Sequence, residues 1–383
     1  MKLLTIAGEL SGDTHGGALL AGLRERLPNL AITGIGGPAM LKAGLQPLFP
    51  LAALQVHGLL EVISHLPRLY RILWDVERQL DENRPDALLL IDYPGFNLKL
   101  AQAAKRRAIP VYYYSSPQIW AWRGRRIRTI AKAVDLMIVL FPFEPALYQS
   151  VGVEAHFLGH PLVGVRAHPA AVAQLKHQVA APEGVPIVAL MPGSRPSELR
   201  RHLRVLLEAM KLCERQGFRG RYVIPVAPSL AMEKVHMEEV QMEVEASGLP
   251  VLALEDAFLP LLGAADFAVT ASGTATLQTA LAGIPFLVVY RMSPLTFFLA
   301  KRMAYLSHIS IVNILADKEV APELLQHEFT PEAVRDAFLS LVSDPERRAA
   351  MKADLQAVAG QLGEPGAYGR AADLLAERLR GLA

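Results

Sequence analysis

Cysteine is almost absent from the chain, since Cys213 is the only one. No disulfide can form within the sequence, and a cysteine-based zinc site is excluded. The eleven histidines show no metal-ligand spacing, and no Asp-x-Asp pair occurs. We therefore predict no metal ion and no bound cofactor. Positive charge at a site would have to come from arginine and helix N-termini.

A strong net charge is also missing, because 39 Lys and Arg residues face 37 Asp and Glu residues. This balance disfavours a nucleic acid as partner. The N-terminal apolar stretch is too short for a signal peptide and runs into Glu9 and Asp13. The longest uncharged run, from Phe267 to Tyr290, contains glycine, proline and hydroxyl residues. We expect no membrane span and, from the single cysteine, a reducing compartment.

Short apolar runs alternate with helical patterns over most of the chain. Runs of this kind are typical of parallel strands that helices cover on both faces. A looser stretch between 159 and 186 separates two such series. We predict an α/β protein of two Rossmann-like doubly wound domains that face a cleft, 1–165 and 166–345. Residues 346–383 read as helices that pack back on the first domain.

Two acidic residues follow predicted strands of the first domain. Glu9 stands in the glycine-rich stretch AGELSGDTHGG, whose spacing is not that of a dinucleotide fingerprint. Asp92 follows the apolar run from Ala87 to Ile91. Desolvation would raise the pKa of this carboxyl towards the range of a general base. The alternative makes Asp92 an acid bonded by backbone N–H groups, and the glycines a simple turn capped by Asp13.

Two further stretches of the first domain leave several readings open. The segment YYYSSPQIWAWRGRRIR, with Trp122 and Arg123, suits a basic helix, a phosphate-bearing or membrane ligand, or single-stranded RNA. The segment HGLLEVISHLPRLYRIL carries too many apolar residues for one buried stripe. From the residues alone, burial is favoured there over contact with lipid.

Two turns of the second domain are suited to phosphate. The first, Pro192-Gly193-Ser194-Arg195, lies between a strand and a helix, where backbone N–H groups attract anions. No Gly-Lys-Ser/Thr follows, so it is not a Walker loop. The second turn, Ser272-Gly273-Thr274, offers N–H groups and hydroxyls to a diphosphate. Gln278 lies one helical turn further on, within reach of a sugar hydroxyl.

The ordered set of these motifs resembles the lipid-A-disaccharide synthases. The matching pieces are AGELSGDTHG, GIGGPAM, GLLEVI, DYPGFN, SPQIWAWR, PFE, GHP, MPGSRPSE, ASGTATLQ and IVNILA. The resemblance implies a GT-B glycosyltransferase that inverts configuration without a metal. It implies UDP-2,3-diacylglucosamine and 2,3-diacylglucosamine 1-phosphate (lipid X) as substrates, and a β-1,6-linked disaccharide and UDP as products. It places the protein at the cytoplasmic surface of the inner membrane and is compatible with a homo-oligomer.

The resemblance also assigns roles to individual residues. Asp92 would be the base for the acceptor hydroxyl, Arg195 would stabilise the leaving diphosphate, and Glu9 matches the acid of the first motif. The residues that would bind the UDP-sugar are Gly193, Ser194, Arg195, Ser272, Gly273, Thr274, Gln278 and Asn313. Those that would contact the acceptor or the membrane are Leu60, Val62, Ile63, Leu66, Trp122 and Arg123. This reverses the preference for burial of the apolar segment.

The chain departs from the family pattern at two positions. Many relatives carry a second acid where this chain has Gly95, so a carboxylate pair is not expected here. Relatives usually have Glu where this chain has Gln278, and Gln lacks the charge that would hold ribose hydroxyls. Three other functions stay in view. They are a UDP-sugar epimerase of the same fold, another inverting GT-B glycolipid transferase, and an RNA-binding protein.

Overall fold

A computed structural model describes residues 1–54, 59–121, 124–226, 234–293, 297 and 307–382; it does not describe the side chains of 59–65 and 234–235. The chain forms two compact units. The first consists of Met1–Val163 and Leu362–Ala383, and the second of Gly164–Gln361.

The first unit is built on a seven-stranded sheet in which every paired strand is parallel. The strands are β1 Lys2–Ala7, β2 Ala31–Gly36, β3 Gln46–Pro50, β4 Ala87–Ile91, β5 Val111–Tyr114, β6 Leu136–Val139 and β7 Glu154–Phe157. Their spatial order is β3-β2-β1-β4-β5-β6-β7. The chain therefore changes direction across the sheet between β1 and β4, which makes their carboxyl ends the switch point of a doubly wound fold.

Helices connect these strands. They are α1 Leu10–Arg26, α2 Pro38–Lys42, α3 Leu59–Glu82, α4 Pro94–Arg106, α5 Ile127–Ala133 and α6 Glu144–Gln149. All five residues of β4 are buried, as expected of a central parallel strand with helices on both faces. The buried apolar residues form two clusters, one with side chains of α3 and α4 and the other with side chains of α1.

The second unit repeats the plan with a six-stranded parallel sheet. Its strands are β8 Ile187–Met191, β9 Arg221–Val226, β10 Val251–Glu255, β11 Phe267–Ala271, β12 Phe286–Tyr290 and β13 Glu323–Leu325. The order β10-β9-β8-β11-β12-β13 places a second switch point between β8 and β11. The predicted pair of Rossmann-like α/β domains is confirmed.

The first helix of the second unit begins at Pro169, after β7 in the chain. The helices of this unit are α7 Pro169–Val179, α8 Pro196–Arg215, α9 Lys234–Ser247, α10 Phe258–Leu262, α11 Thr274–Leu281, α12 Ile311–Ala316, α13 Pro331–Ser343 and α14 Pro345–Gln361. Among the described residues, no helix has both the length and the apolar character needed to cross a membrane.

The last helix, α15 Ala367–Arg380, belongs to the first unit and packs against α1. A Cβ on Gly22 would lie 2.9 Å from the Cβ of Ala372, so glycine permits this close approach. Arg26 donates to Asp373, with Nε and Oδ1 2.5 Å apart. Helix α14, in contrast, lies in the second unit, so the terminal helices divide between the two units.

Candidate active site

Two carboxylates lie at the switch point of the first sheet. Glu9 follows β1 by two residues, and Asp92 follows the adjacent strand β4 directly. Glu9 is exposed at the start of α1 and makes no capping hydrogen bond with its side chain. The structure therefore brings together the two acids that the sequence singled out in this domain.

The backbone at Asp92 is held in a sparsely populated conformation. Asp92 has φ 47° and Tyr93 has φ 49°, which is the left-handed region that most side chains avoid. Two side chains anchor the carbonyl oxygen of Asp92. The Asn97 amide nitrogen donates to it at 2.7 Å, and the Tyr113 hydroxyl donates at 2.5 Å. Strain of this kind persists where surrounding contacts fix it, and it is frequent at functional sites.

The environment of the Asp92 carboxyl favours its protonated form. Burial raises its pKa to about 6, and the negative charge of Glu9 adds to the rise. A hydrogen bond from the backbone N–H of Tyr93 acts in the opposite direction. A carboxyl with such a pKa is ionised at neutral pH and is still a better proton acceptor than an ordinary aspartate.

The glycine-rich stretch after β1 has a structural explanation for several of its residues. Asp13 is buried, and its two carboxylate oxygens accept from the N–H groups of Gly37, Ala39 and Met40 at 2.7 to 3.0 Å. It therefore caps α2, not the helix in which it lies. A Cβ on Gly8 would lie 2.2 Å from the ring of Tyr93, so glycine is needed there for that ring to pack.

The departure at Gly95 has a simple geometric reading. A Cβ added at this position would meet no atom within 4 Å, and the residue is exposed in the first turn of α4. The backbone therefore has room for a larger side chain at this position.

In the second unit, the turn after β8 is organised by Glu198. One carboxylate oxygen, Oε2, accepts from the N–H groups of Ser194 and Arg195 at 3.1 and 3.3 Å. The other, Oε1, accepts from the Arg195 guanidinium at 2.8 Å and from the Tyr290 hydroxyl at 3.1 Å. A Cβ on Gly193 would lie 2.4 Å from Oε2, so only glycine lets the carboxylate fold over the turn.

The two partners of this ion pair differ greatly in exposure. The side chain of Glu198 is 8% exposed, whereas that of Arg195 is 72% exposed. Since a guanidinium has five N–H donors in a planar fork, Arg195 can contact Glu198 on one side and an anion on another. The turn therefore has ordinary cap chemistry and also presents a cation.

The turn after β11 also precedes a helix, α11. Strand β11 pairs with β8. Ser272 directly follows β11, so it lies at the same carboxyl end of the sheet as the turn after β8. Gly273 is the N-cap residue of α11, with φ 154°, and has no side chain with which to cap the helix. Gly273 and Thr274 are exposed, and the half-buried Gln278 follows one turn later. This end of α11 can accept an anion.

Asn313 lies deeper than the sequence suggested. It is fully buried, and its amide oxygen accepts from the N–H groups of Val320 and Ala321 at 2.8 and 2.9 Å. Its amide nitrogen donates to the carbonyl of Ala321 and to Glu323, both at 2.8 Å. Because these bonds use all four hydrogen-bonding positions of the amide, the expected contact with UDP-sugar does not fit this arrangement.

A chain of hydrogen bonds links Asn313 to the turn after β11 instead. The Glu323 carboxylate that Asn313 contacts also accepts from the N–H groups of Ile309 and Ser310, each at 2.9 Å. The carbonyl of Ile309 accepts from the Ser272 hydroxyl at 3.2 Å. Asn313 therefore supports Ser272 through the backbone that lies between them.

Several predicted contact residues lie outside the described part of the structure. Trp122 and Arg123 are among them, as are the side chains of Leu60, Val62 and Ile63. Leu66 is described and exposed on α3. Tyr70 and Trp74 follow it at four-residue spacing, and both are exposed as well. These three side chains form an apolar stripe along one face of the helix.

The sequence did not assign roles to two buried acids, Glu198 and Glu144. Glu144 accepts from the Ser116 hydroxyl at 2.5 Å and from the Trp120 indole at 3.0 Å, so it anchors the segment after β5. The signal for Glu198 was the Arg-Pro-x-Glu spacing, which puts an acid in the third helical position, as in a capping box. The PFE triplet gave no comparable indication for Glu144.

Metal-binding side chains are not clustered in the part of the chain that the structure describes. No group of three His, Cys, Asp or Glu residues in those ranges could hold a metal ion. The first unit thus presents carboxylates at its switch point, and the second unit presents Arg195 and a helix N-terminus at its own.

Comparison with known sequences points to one family along the whole chain. The family model for lipid-A-disaccharide synthetase matches residues 3–377. A lipid-A-disaccharide synthase from Myxococcus xanthus is 38% identical over 380 residues, which are 99% of this chain and 97% of the relative. One from Syntrophus aciditrophicus is 39% identical over 370 residues, 97% and 96% of the two chains.

Comparison with solved structures supports the fold. The UDP-GlcNAc 2-epimerase from Neisseria meningitidis, bound to UDP-GlcNAc, has a TM-score of 0.62 and 13% identity and covers 100% of both chains. S. aureus MnaA in complex with UDP has a TM-score of 0.66 and 12% identity, covering 99% of this chain and 97% of that one. At such low identity, these structures are evidence for the fold alone.

Proposed function

The chain belongs to the lipid-A-disaccharide synthetase family, and on that premise we propose that it joins UDP-2,3-diacylglucosamine to 2,3-diacylglucosamine 1-phosphate. The products are UDP and the β-1,6-linked lipid A disaccharide 1-phosphate. The observation that carries this proposal is the family match from residue 3 to 377, with polar side chains at both switch points.

The proposed reaction is a single displacement that inverts the anomeric carbon. Asp92 accepts the proton of the acceptor's 6-hydroxyl while that oxygen attacks the donor sugar. The C–O bond to the diphosphate breaks, and its electron pair leaves on UDP. The raised pKa of Asp92 suits it to this step.

Negative charge grows on the leaving diphosphate as the bond breaks, and groups of the second unit would receive it. Arg195 offers an exposed guanidinium, and the N-terminus of α11 offers backbone N–H groups. We propose that Gly193, Ser194, Ser272, Gly273 and Thr274 shape these two contacts and that Gln278 reaches the ribose. In place of a direct contact, Asn313 supports Ser272.

The acceptor and donor both carry acyl chains, so the enzyme has to work at a lipid surface. The apolar stripe of Leu66, Tyr70 and Trp74 supports such a location. Lys99 lies over the ring of Tyr70, with Nζ 4.0 Å from the ring centroid, and adds a positive charge beside the stripe. We propose that this face of α3 meets the cytoplasmic surface of the inner membrane.

The direct test mixes the purified protein with both acylated sugars, with and without EDTA. Mass spectrometry follows UDP and disaccharide, and NMR reads the anomeric configuration of the product. We expect equal amounts of UDP and β-linked disaccharide in both conditions. No disaccharide in either condition would refute the function, and loss of product with EDTA alone would refute metal independence.

A parallel reaction distinguishes the proposed transferase from the main alternative, a UDP-sugar epimerase. UDP-N-acetylglucosamine is supplied without any acceptor, and the configuration at C2 is followed by NMR. We expect no change, because a transferase needs the acceptor hydroxyl. Formation of the C2 epimer would favour the epimerase instead.

A further inference from the structure

Glu198 is a buried acid that the displacement proposed above does not use. Removing a carboxylate from water costs free energy unless hydrogen bonds and an opposite charge replace the lost solvation. Four donors replace it here: two backbone N–H groups, the Arg195 guanidinium and the Tyr290 hydroxyl. Burial and the charge of Glu198 both raise the pKa of Tyr290, so that hydroxyl keeps its proton and remains a donor.

The resident carboxylate also changes what the turn can offer to a ligand. The N–H groups of Ser194 and Arg195 point to Glu198 Oε2, so they already have an anionic partner. A phosphate arriving at this turn would therefore meet the Arg195 guanidinium before the backbone amides. In the usual arrangement, the backbone amides of such a turn bind the phosphate. Here the guanidinium of Arg195 would bind it instead.

The turn that carries this ion pair also bonds to a buried histidine, His202. His202 is buried one turn along α8, and burial lowers its pKa, so the ring is neutral. Its Nδ1 lies 2.6 Å from the carbonyl of Pro192, and its Nε2 accepts from the N–H of Arg291 at 2.9 Å. His202 therefore holds the Pro192 end of the turn, and Glu198 holds the Arg195 end through both the backbone N–H and the guanidinium.

We infer that Glu198 is a positioning residue for transfer: it orients the Arg195 guanidinium towards the leaving diphosphate and keeps the turn amides from competing for that anion. This inference rests on the proposed function, in which Arg195 receives the developing charge. In this assignment the carboxylate acts without contacting the substrate, and most of its effect on rate should pass through Arg195.

The test is a double-mutant cycle of Glu198→Gln and Arg195→Ala. Gln keeps the size of the side chain and one acceptor oxygen but loses the charge that fixes the guanidinium. We expect Glu198→Gln to lower kcat by about 10- to 100-fold, because small displacements of a charge-stabilising group are costly in the transition state. The donor KM should change by less than about fivefold, since the contact strengthens as charge develops.

In the Arg195→Ala background, adding Glu198→Gln should lower kcat by less than about twofold, because no guanidinium remains to be oriented. A structural role alone would lower activity by the same factor in both backgrounds, and that result would overturn the inference. So would a single Glu198→Gln variant with the parental kcat.

Glu208→Gln is the matched control. It makes the same change on the same helix, at an acid that is 46% exposed and bonds to Lys211 at 3.1 Å. Circular dichroism and melting curves of all variants show whether they fold. A kcat for Glu208→Gln reduced as strongly as that for Glu198→Gln would contradict a specific role of Glu198.

Calorimetric titration with UDP separates this inference from the proposed function. Arg195→Ala should weaken UDP binding by about tenfold, roughly the value of one charged hydrogen bond. Glu198→Gln should weaken it less, and not at all in the Arg195→Ala background. If the parent protein formed no disaccharide but the binding cycle behaved in this way, the function would fail while the coupling stood. Independent effects on UDP binding would refute the coupling itself.

Discussion

The same strand order occurs in both units, but the two switch points carry opposite chemistry. In the first sheet, the ends of β1 and β4 present the carboxylates of Glu9 and Asp92. In the second, the ends of β8 and β11 present a guanidinium and a helix N-terminus. The strand order fixes where a ligand can bind, and the residues after each strand decide the chemistry. One edge is suited to removing a proton, and the other to stabilising an anion.

Two acids at these edges sharpen the contrast. Asp92 is largely desolvated beside Glu9, and its pKa rises to about 6. Glu198 is buried, but four donors surround it, and one of them is the cationic Arg195 guanidinium. A carboxylate without a cation can exchange a proton near neutral pH, whereas one paired in this way serves as a fixed anchor.

The largest effect is expected at Asp92. Asp92→Asn should lower kcat by about 100- to 10,000-fold, the usual range for a general base. UDP affinity should stay within about twofold, because the proposed nucleotide contacts lie in the other unit. Turnover with both acylated sugars and calorimetry with UDP measure the two quantities.

Asp81→Asn is the matched control for that substitution. Asp81 is an exposed acid of the same unit that forms an ion pair with Arg107 at 2.6 Å. Exposed ion pairs contribute little to stability, so the kcat of Asp81→Asn should remain close to the parental value. An Asp92→Asn variant that kept near-parental kcat would show that another group removes the proton.

The next effect in size is expected at Arg195. Arg195→Ala should lower kcat by about 100- to 1,000-fold, as the loss of one group that stabilises transition-state charge usually does. Arg200→Ala is the control, since Arg200 lies on the same helix and pairs with Glu239 at 3.3 Å. Equal losses for the two variants would indicate a general effect of positive charge and would refute a specific contact.

The sequence predicted the fold and the acidic edge well because both depend on local patterns. β4 and β8 are unbroken apolar runs of five buried residues. A polar residue directly after such a run is expected at the carboxyl end of the strand, where ligands bind. Three of the four edge strands, β3, β7 and β13, were not predicted. They contain prolines or charged residues or are only three residues long, so packing at the sheet edge decides their conformation.

The rest of the site depends on contacts distant in sequence. Glu198 meets Tyr290, 92 positions away, and does so only because Gly193 has φ 118° and no side chain. The sequence predicts Asn313 as a site residue, but the hydrogen-bonding positions of its side-chain amide are occupied by partners within its own unit. A motif identifies the residue, and only the fold distinguishes contact with a ligand from support of a neighbour.

The apolar stripe of α3 gives a third prediction, which compares exposed apolar groups of the two units. Leu66→Ser combined with Trp74→Ser should weaken binding to vesicles of anionic lipid by about tenfold, from the apolar area that no longer leaves water. Met242→Ser is the control, because Met242 is as exposed as Trp74, at 62% against 64%, but stands in the second unit. Co-sedimentation measures binding, and equal losses would contradict a membrane face on α3.

The pH dependence tests how Glu9 and Asp92 interact. A general base works deprotonated, so kcat/KM should be full above pH 7 and fall as the pH drops through about 6. The charge of Glu9 helps to raise that pKa. Glu9→Gln removes the charge, so the pKa of Asp92 should fall and the acid limb should move to lower pH. A limb that stayed in place or moved upward would contradict the interaction, whatever the maximal rate of the variant.

The smallest effect is expected at Gln278, in the turn that Glu198 does not reach. Gln278 is half-buried in the second turn of α11, where a side chain of the same length still reaches solvent. Gln278→Glu should therefore be tolerated, and a carboxylate should bind ribose hydroxyls more strongly than an amide does. The difference between a charged and a neutral hydrogen bond is about 1 kcal/mol, so UDP should bind roughly fivefold tighter. Calorimetry with UDP and with uracil separates this gain from a general change in the turn. Tighter binding of both ligands, or weaker binding of UDP, would place the ribose away from position 278 and leave the nucleotide dependent on Arg195 and the start of α11.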